Sequence, residues 1–262
     1  MRRALFILYY FPPAGGIGVQ RGLKFIRYLP EFGWRATVLT VRAGAAFPVR
    51  DETLLDEIPP DVLVRRTPCP ELYGLYRRLG RHAATTDVDT ASQSAGEFKP
   101  HRRILRALRG ALFIPDGRML WAPHAIRAGR QLLDSAKHEA VFSSGPPFTS
   151  HLIARALHRS HGLPWIADYR DPWTQATFYP RRPPIARAID LRLEASCIRE
   201  ATCTVIVGAG MEAEFRRRYP DLPPQRLRVI PNGYDEADFA AVPYRHPQHL
   251  RITHSGSLFY RR

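Results

Sequence analysis

Short apolar runs alternate with amphipathic helical periods along most of this chain, and that alternation restricts its fold more than any other feature. Seven runs predict strands: Ala4–Tyr10, Ala36–Val41, Asp61–Arg65, Ala140–Ser143, Trp165–Tyr169, Thr204–Val207 and Leu227–Ile230. Val19, Leu23, Ile26 and Leu29 recur at spacings of four, three and three residues, which places them on one stripe of a first helix. Pro30 and Gly33 mark its end. Further helices are expected over Ala122–Ala136, Phe148–His161, Ile185–Arg199 and Met211–Tyr219. Strands separated by helices pair in parallel through right-handed crossovers, so the expected fold class is α/β: an open parallel sheet with helices on both faces.

Between the first strand and the first helix the chain reads FPPAGGIGVQRG. Glycines lack Cβ atoms, so backbone N–H groups there can approach an anion closely. Gly15, Gly16 and Gly18 lie at the carboxyl end of the first strand, which is where open α/β sheets bind ligands. A tight loop needing positive φ is the plainer alternative. The spacing Gly16-x-Gly18-x-x-Arg21 departs from the Rossmann dinucleotide fingerprint, because its third glycine is replaced. The second strand ends at Val41-Arg42 without the acidic residue that holds a ribose. Arg42 would suit a 2′-phosphate, so an NADP-dependent oxidoreductase stays as an alternative.

The chain has 262 residues, with 45% hydrophobic and 24% charged, as in ordinary globular proteins. No stretch reaches the roughly 20 apolar residues of a membrane span. The opening run is short and followed by prolines and glycines, so it reads as a strand rather than a signal peptide, and the expected location is cytoplasmic. Cys69, Cys197 and Cys203 form neither a disulfide framework nor a metal-binding spacing. The formal charge of +15 comes almost wholly from arginine and predicts attraction to an anionic partner. A nucleic-acid binder is the third alternative, but the basic residues are scattered and no reading motif is present, so nucleic acid is not the expected partner.

Two stretches break the alternation. Residues 82–100 are small and polar and predict a flexible insertion. In the HRRILRALRGALF segment that follows, Ile104, Leu105, Leu108 and Leu112 fall on one helical side, with Arg102, Arg103, Arg106 and Arg109 towards the other. Such a helix can rest on an anionic membrane surface, or be an ordinary solvated helix.

The opening YYFPPAGGIGVQRGLKFIRYLPEFGWRATVLTV resembles that of family 4 glycosyltransferases of the two-domain GT-B fold. GPPFTSHLIARALHRSHGLPWIADYRDPW, VIPNGYDEADF and ITHSGSL resemble later landmarks of that family in the same order. The resemblance implies sugar transfer from a nucleotide-sugar donor to an acceptor, usually with retention of configuration. It implies no cofactor beyond the nucleotide-sugar substrate. The acceptor would be a sugar or lipid-linked molecule of the cell envelope or a polysaccharide, met at the inner face of the cell membrane. Residues 1–243 would form the Rossmann-like acceptor-side domain, the N-terminal half of the GT-B fold. Residues 244–262 would supply a linker and the first strand of a truncated donor-binding domain.

Under the resemblance, Gly15, Gly16 and Gly18 face the cleft, and Arg21 adds a cation near the phosphates or else is a solvated helix arginine. In ADYRDPW, Asp168 and Asp171 are candidate catalytic carboxylates, one of them accepting a hydrogen bond from an acceptor hydroxyl. Arg170 is a candidate phosphate ligand, and a structural ion pair is the competing reading. Where many family members have histidine, this chain reads Ser143-Ser144-Gly145-Pro146-Pro147, so Ser144 or the backbone at Gly145 would meet the acceptor. His151, further on, reads as structural. Trp121 would stack on a sugar or anchor the core. Asn232-Gly233 suits a turn needing positive φ at the domain junction. Gly256 resembles the donor-side glycine turn, with Arg261 as a possible phosphate ligand beyond it. No metal site is expected.

Overall fold

A computed structural model of the chain describes residues 1–45, 47–70, 113–176 and 182–239, together with 249, 252 and 254. The expected insertion at 82–100, the basic helix after it, Gly256 and Arg261 lie outside the described residues. The chain divides into two compact units, Met1–Asn232 and Gly233–Arg262, ten residues or so before the boundary expected at 243/244.

Seven strands form one fully parallel sheet: β1 (Arg2–Leu8), β2 (Trp34–Val41), β3 (Leu63–Thr67), β4 (Ala140–Gly145), β5 (Trp165–Tyr169), β6 (Cys203–Ile206) and β7 (Leu227–Val229). Their order is β3-β2-β1-β4-β5-β6-β7. Strand order reverses at the β1/β4 pair, the switch point beside which open α/β sheets bind ligands at their carboxyl edge. The described α-helices are α1 (Ile17–Tyr28), α2 (Trp121–Ser135), α3 (Thr149–His161), α4 (Pro184–Glu200) and α5 (Ala209–Arg218).

The central strands are apolar without alternation because both faces are covered. Ala4, Phe6 and Leu8 of β1 pack beneath Val19, Leu23 and Ile26 of α1. Leu5 and Ile7 point the other way, into a core shared with α2 to α5 through Trp121, Ile153, Cys197 and Phe215. At the β3 edge, exposed and partly buried residues alternate.

β1 stops at Leu8, two residues short of expectation. Tyr9 leaves the ladder and is buried edge-on against Trp121, with ring centroids 5.4 Å apart. The aromatic run thus packs the base of the proline loop instead of extending the strand. Helix α1 ends as expected, although Leu29 belongs to a following 3-10 turn that closes at Gly33 with φ 77°. Helix α3 begins where Asp116 reaches across to accept from the Thr149 backbone N–H at 2.9 Å and its hydroxyl at 2.7 Å. That carboxylate satisfies the helix start as a local cap would. Within the second unit, residues Glu236–Phe239 form a 3-10 turn, and Tyr234 meets Phe239 edge-on at 5.9 Å.

Candidate functional site

The loops leaving β1, β4 and β5 gather most of the sequence-derived site residues at the carboxyl edge, and the three glycines of the first loop separate into different jobs. Gly15 donates its N–H to the Val49 carbonyl at 2.9 Å, and a Cβ there would meet Val49 and Asp51 at 3.0 and 3.1 Å. It is therefore packed against a neighbouring segment. Gly18 faces Arg170, whose Nη1 would lie 2.6 Å from an added Cβ. The close approach that a dinucleotide fingerprint reserves for pyrophosphate is here occupied by a side chain of the protein itself. Only Gly16 matches the expectation of an open loop. It is exposed, carries φ 86° and has nothing within 4 Å of a Cβ position. This backbone conformation is one that L side chains avoid.

Arg21 is neither a solvated arginine nor a cation free for phosphate. Its side chain is 6% exposed, and its Nη2 lies 2.9 Å from Asp168 Oδ1. Nε donates to both oxygens of the same carboxylate at 3.1 and 3.2 Å. The remaining donors reach the Ile230 carbonyl at 2.9 Å, the Pro231 carbonyl at 3.0 Å and the Asn232 side-chain oxygen at 3.2 Å. Asp168 is fully buried, and Ser144 donates to its Oδ2 at 2.7 Å. This contact follows from register, since Ser144 and Asp168 are direct partners across β4 and β5. Asp168 and Ser144 are thus members of a buried ionic hub. It ties α1, β4, β5 and the Ile230–Asn232 segment together with each acceptor satisfied.

Arg170 is likewise engaged within the protein. Its guanidinium donates to the carbonyls of Gly18, Gly145 and Pro146. Its backbone N–H also holds the Gly145 carbonyl at 3.0 Å, so the backbone at Gly145 faces Arg170. Burial lowers the Arg170 pKa, while Asp168 and Asp171 beside it raise it. Inside ADYRDPW the acids act on Arg170 through their charge alone, and the ion pair of Asp168 is with Arg21, 147 residues away.

Asp171 is different. Half-buried at the end of β5, it has no hydrogen-bond partner among the described residues. Burial pushes its carboxyl above the ordinary 3.8, opposed by the charge of Arg170. A partly desolvated carboxylate without an internal donor is a ready acceptor for a substrate hydroxyl.

The loop after Asp171 rests on two buried acids that the sequence reading passed over. Trp173 Nε1 donates to Asp190 at 2.9 Å, and Arg182 pairs with the same carboxylate at 2.9 Å. The Thr174 hydroxyl donates to Glu194 at 2.6 Å, and Arg218 pairs with Glu194 at 3.1 Å. Burial raises the Glu194 pKa, opposed by the Thr174 bonds and by Arg218. The available signal was spacing: acids at 190 and 194 fall on the same side of α4 as Ala186 and Cys197.

Other expectations resolve by burial. Trp121 is fully buried and its Nε1 donates to Thr67 Oγ1 at 2.8 Å, so it is the core anchor and not a sugar platform. Ser143 and His151 lie 2.8 Å apart, but both are fully buried among aromatic rings, with no access for a substrate. Burial pulls the His151 pKa down to about 3, and the charge of Arg170 adds to the shift. Asn232 is exposed and bonded to Arg21. Gly233 is exposed and does not adopt positive φ, so the turn expected there does not require glycine. A shallow cleft of about 450 Å³ opens beside the Asp171 loop, lined by Pro172, Gln175, Gly210, Met211 and Glu214.

The fold is shared with a solved UDP-glucosyltransferase. A UDP-glucosyltransferase from Polygonum tinctorium is similar over 94% of this chain and 55% of its own, at 11% identity and TM-score 0.51. UGT2 of Phytolacca americana is similar over 89% of this chain and 54% of its own, at 13% identity and TM-score 0.49. SsfS6 of Streptomyces sp. SF2575 covers 90% and 56%, at 14% identity and TM-score 0.43. The chain therefore spans about half the length of the solved structures it matches. No curated protein matches it. The Glycosyltransferase Family 4 model matches residues 75–238, more than half the chain and the whole stretch from β4 through Asp171 to Asn232. By that match, the chain belongs to glycosyltransferase family 4.

Proposed function

We propose that this chain is the acceptor-side part of an enzyme that transfers a sugar from a nucleotide-sugar donor to a cell-envelope or polysaccharide acceptor with retention of anomeric configuration. The observation that carries the reading is Asp171: a half-buried carboxylate with raised pKa at the carboxyl edge of the family-matched region. Asp171 accepts the hydrogen bond of the acceptor hydroxyl and orients it for reaction. The exposed backbone at Gly16 lies at the start of α1, where N–H groups favour a phosphate of the donor or of a lipid-linked acceptor. The buried hub of Arg21, Asp168 and Ser144 fixes the loops around that edge without touching substrate. A basic chain of +15 suits an acceptor presented at the anionic inner face of the membrane. No described helix is long and apolar enough to cross a membrane.

The test is transfer of radiolabel from a panel of nucleotide sugars to envelope extracts by the purified protein. Asp171→Asn is expected to lower transfer by about 10²- to 10⁴-fold while leaving the thermal midpoint nearly unchanged. Transfer by Asp171→Asn at the parent rate would remove Asp171 from the chemistry. Saturable NADPH binding, with no labelling from any nucleotide sugar, would replace the reading with an oxidoreductase.

A further inference from the structure

Strand β5 ends at Tyr169, so the sheet ladder stops two residues before Asp171. The loop that carries Asp171 is held instead from helix α4. Asp190 accepts from Trp173 Nε1 at 2.9 Å, two residues after Asp171. Glu194 accepts from the Thr174 hydroxyl at 2.6 Å and from the Thr174 backbone N–H at 3.3 Å, one residue further on. The two acids are four residues apart and so adjoin on one face of α4. Both are fully buried, and each has its own arginine, Arg182 on Asp190 and Arg218 on Glu194. The Trp173 ring also stacks on Phe148, with centroids 4.8 Å apart and planes 3° from parallel, which ties the same loop to the start of α3.

Stability alone does not account for two carboxylates in this position. An ordinary surface helix points its isoleucines inward and its acids outward. Helix α4 leaves Ile185 78% and Ile189 42% exposed and buries Asp190 and Glu194 instead. A buried ion pair can often be replaced by apolar residues of similar volume without loss of stability. A leucine, however, could not accept from an indole N–H or a hydroxyl and so fix the direction of the loop that carries them. We propose that Asp190 and Glu194 are positioning residues, which aim the Asp171 carboxylate at the acceptor hydroxyl by gripping Trp173 and Thr174. The role of Asp171 rests on the proposed function; the grip on its loop does not. A reacting group misplaced by about 1 Å can cost about 10²-fold in rate, so the rigidity of this loop bears directly on turnover.

The test breaks each grip from the loop side, so that both acids keep their arginines. Trp173→Phe removes the indole N–H and Thr174→Val removes the hydroxyl; neither changes charge. Trp121→Phe is the control, because it removes an equally buried indole bond, to Thr67 Oγ1, outside the loop. In the full chain, the Asp171 carboxyl is followed by carboxyl-carbon NMR across pH, its signal identified by its loss in Asp171→Asn. Burial holds the Asp171 pKa above its ordinary value, and Arg170 beside it is retained in every variant. Both loop variants are therefore expected to move the titration down towards the ordinary range, and Trp121→Phe to leave it in place. In the transfer assay, each loop variant is expected to lower turnover by about ten- to a hundredfold, with the KM for nucleotide sugar unchanged. Added to Asp171→Asn, neither should cost anything more, because a residue that acts through Asp171 then has nothing left to position. A titration that stays in place in both loop variants, an equal shift in Trp121→Phe, or further loss of turnover on the Asp171→Asn background would overturn the proposal. The titration needs no donor, so it decides the grip separately from transfer. A shifted titration with Asp171→Asn as active as the parent would remove the proposed function and leave the grip. An unshifted titration with Asp171→Asn inactive would do the reverse.

Discussion

Lowering the pH should destabilise this domain through one histidine. His151 is fully buried between Phe148, Trp165 and Tyr169, and its pKa falls from the ordinary 6.5 to about 3. The unfolded chain binds a proton there near pH 6.5, while the folded chain resists doing so. Stability from this group is therefore present above pH 6.5 and is lost as pH falls towards 3. At pH 4.5 the unfolded site is about 99% protonated and the folded site only about 3%, which works out at about 2.7 kcal/mol lost relative to pH 8. Other groups titrate over the same range, so the informative quantity is a difference. His151→Gln and His151→Phe remove the titration while keeping a side chain of comparable reach. Urea unfolding of the wild type and both variants should be measured at several pH values from 8 to 4.5. The gap in stability between wild type and each variant should change by about 2–3 kcal/mol in the direction that favours the variants at low pH. Parallel curves would show that His151 titrates normally in the folded state. They would also make Ser143 and His151 more than a core hydrogen bond.

Three further outcomes follow from the same contacts. Arg21→Ala strands the Asp168 charge in a dry site and should cost about 3–5 kcal/mol in urea unfolding, while Arg21→Met with Asp168→Leu should recover part of that loss; a loss below about 1 kcal/mol for the single variant would dissolve the hub. Gly18→Ala pushes a methyl onto an Arg170 fork already locked to three carbonyls and should lower stability by about 1–3 kcal/mol, whereas Gly233→Ala should stay within about 0.5 kcal/mol; equal effects would deny the close approach. Because burial raises the Glu194 pKa above 4.5, its contribution is fully present below pH 4.5 and is lost as pH rises through the raised value. Glu194→Gln should therefore gain on wild type as pH climbs from 4.5 to 7, and a constant gap between them would refute the shift.

The sequence reaches far into the fold but less far into the site. Strand β5 has the predicted limits, and β2 to β4, β6 and β7 differ from prediction by a few residues at most. Helix α1 was readable because Val19, Leu23 and Ile26 repeat within a dozen residues, and that period survives whatever the helix packs against. Gly16 was readable as a backbone position that needs freedom. The roles of Arg21, Arg170 and Trp121 were not, because each of these side chains has a plausible exposed use and a plausible buried one. Local sequence does not choose between the two.

That choice is made by strand order and register. A polypeptide encodes its hydrophobic pattern locally, so short apolar runs alternating with 3.6-residue repeats already dictated a parallel α/β sheet with its ligand edge at the strand carboxyl ends. Only the assembled sheet sets Ser144 beside Asp168, lowers Arg21 onto that carboxylate, and turns Asp190 and Glu194 inward while two isoleucines face out. Burial and ion pairing depend on neighbours tens to hundreds of residues away. Among the described residues, Asp171 has no hydrogen-bond partner, while Arg21 and Ser144 satisfy Asp168.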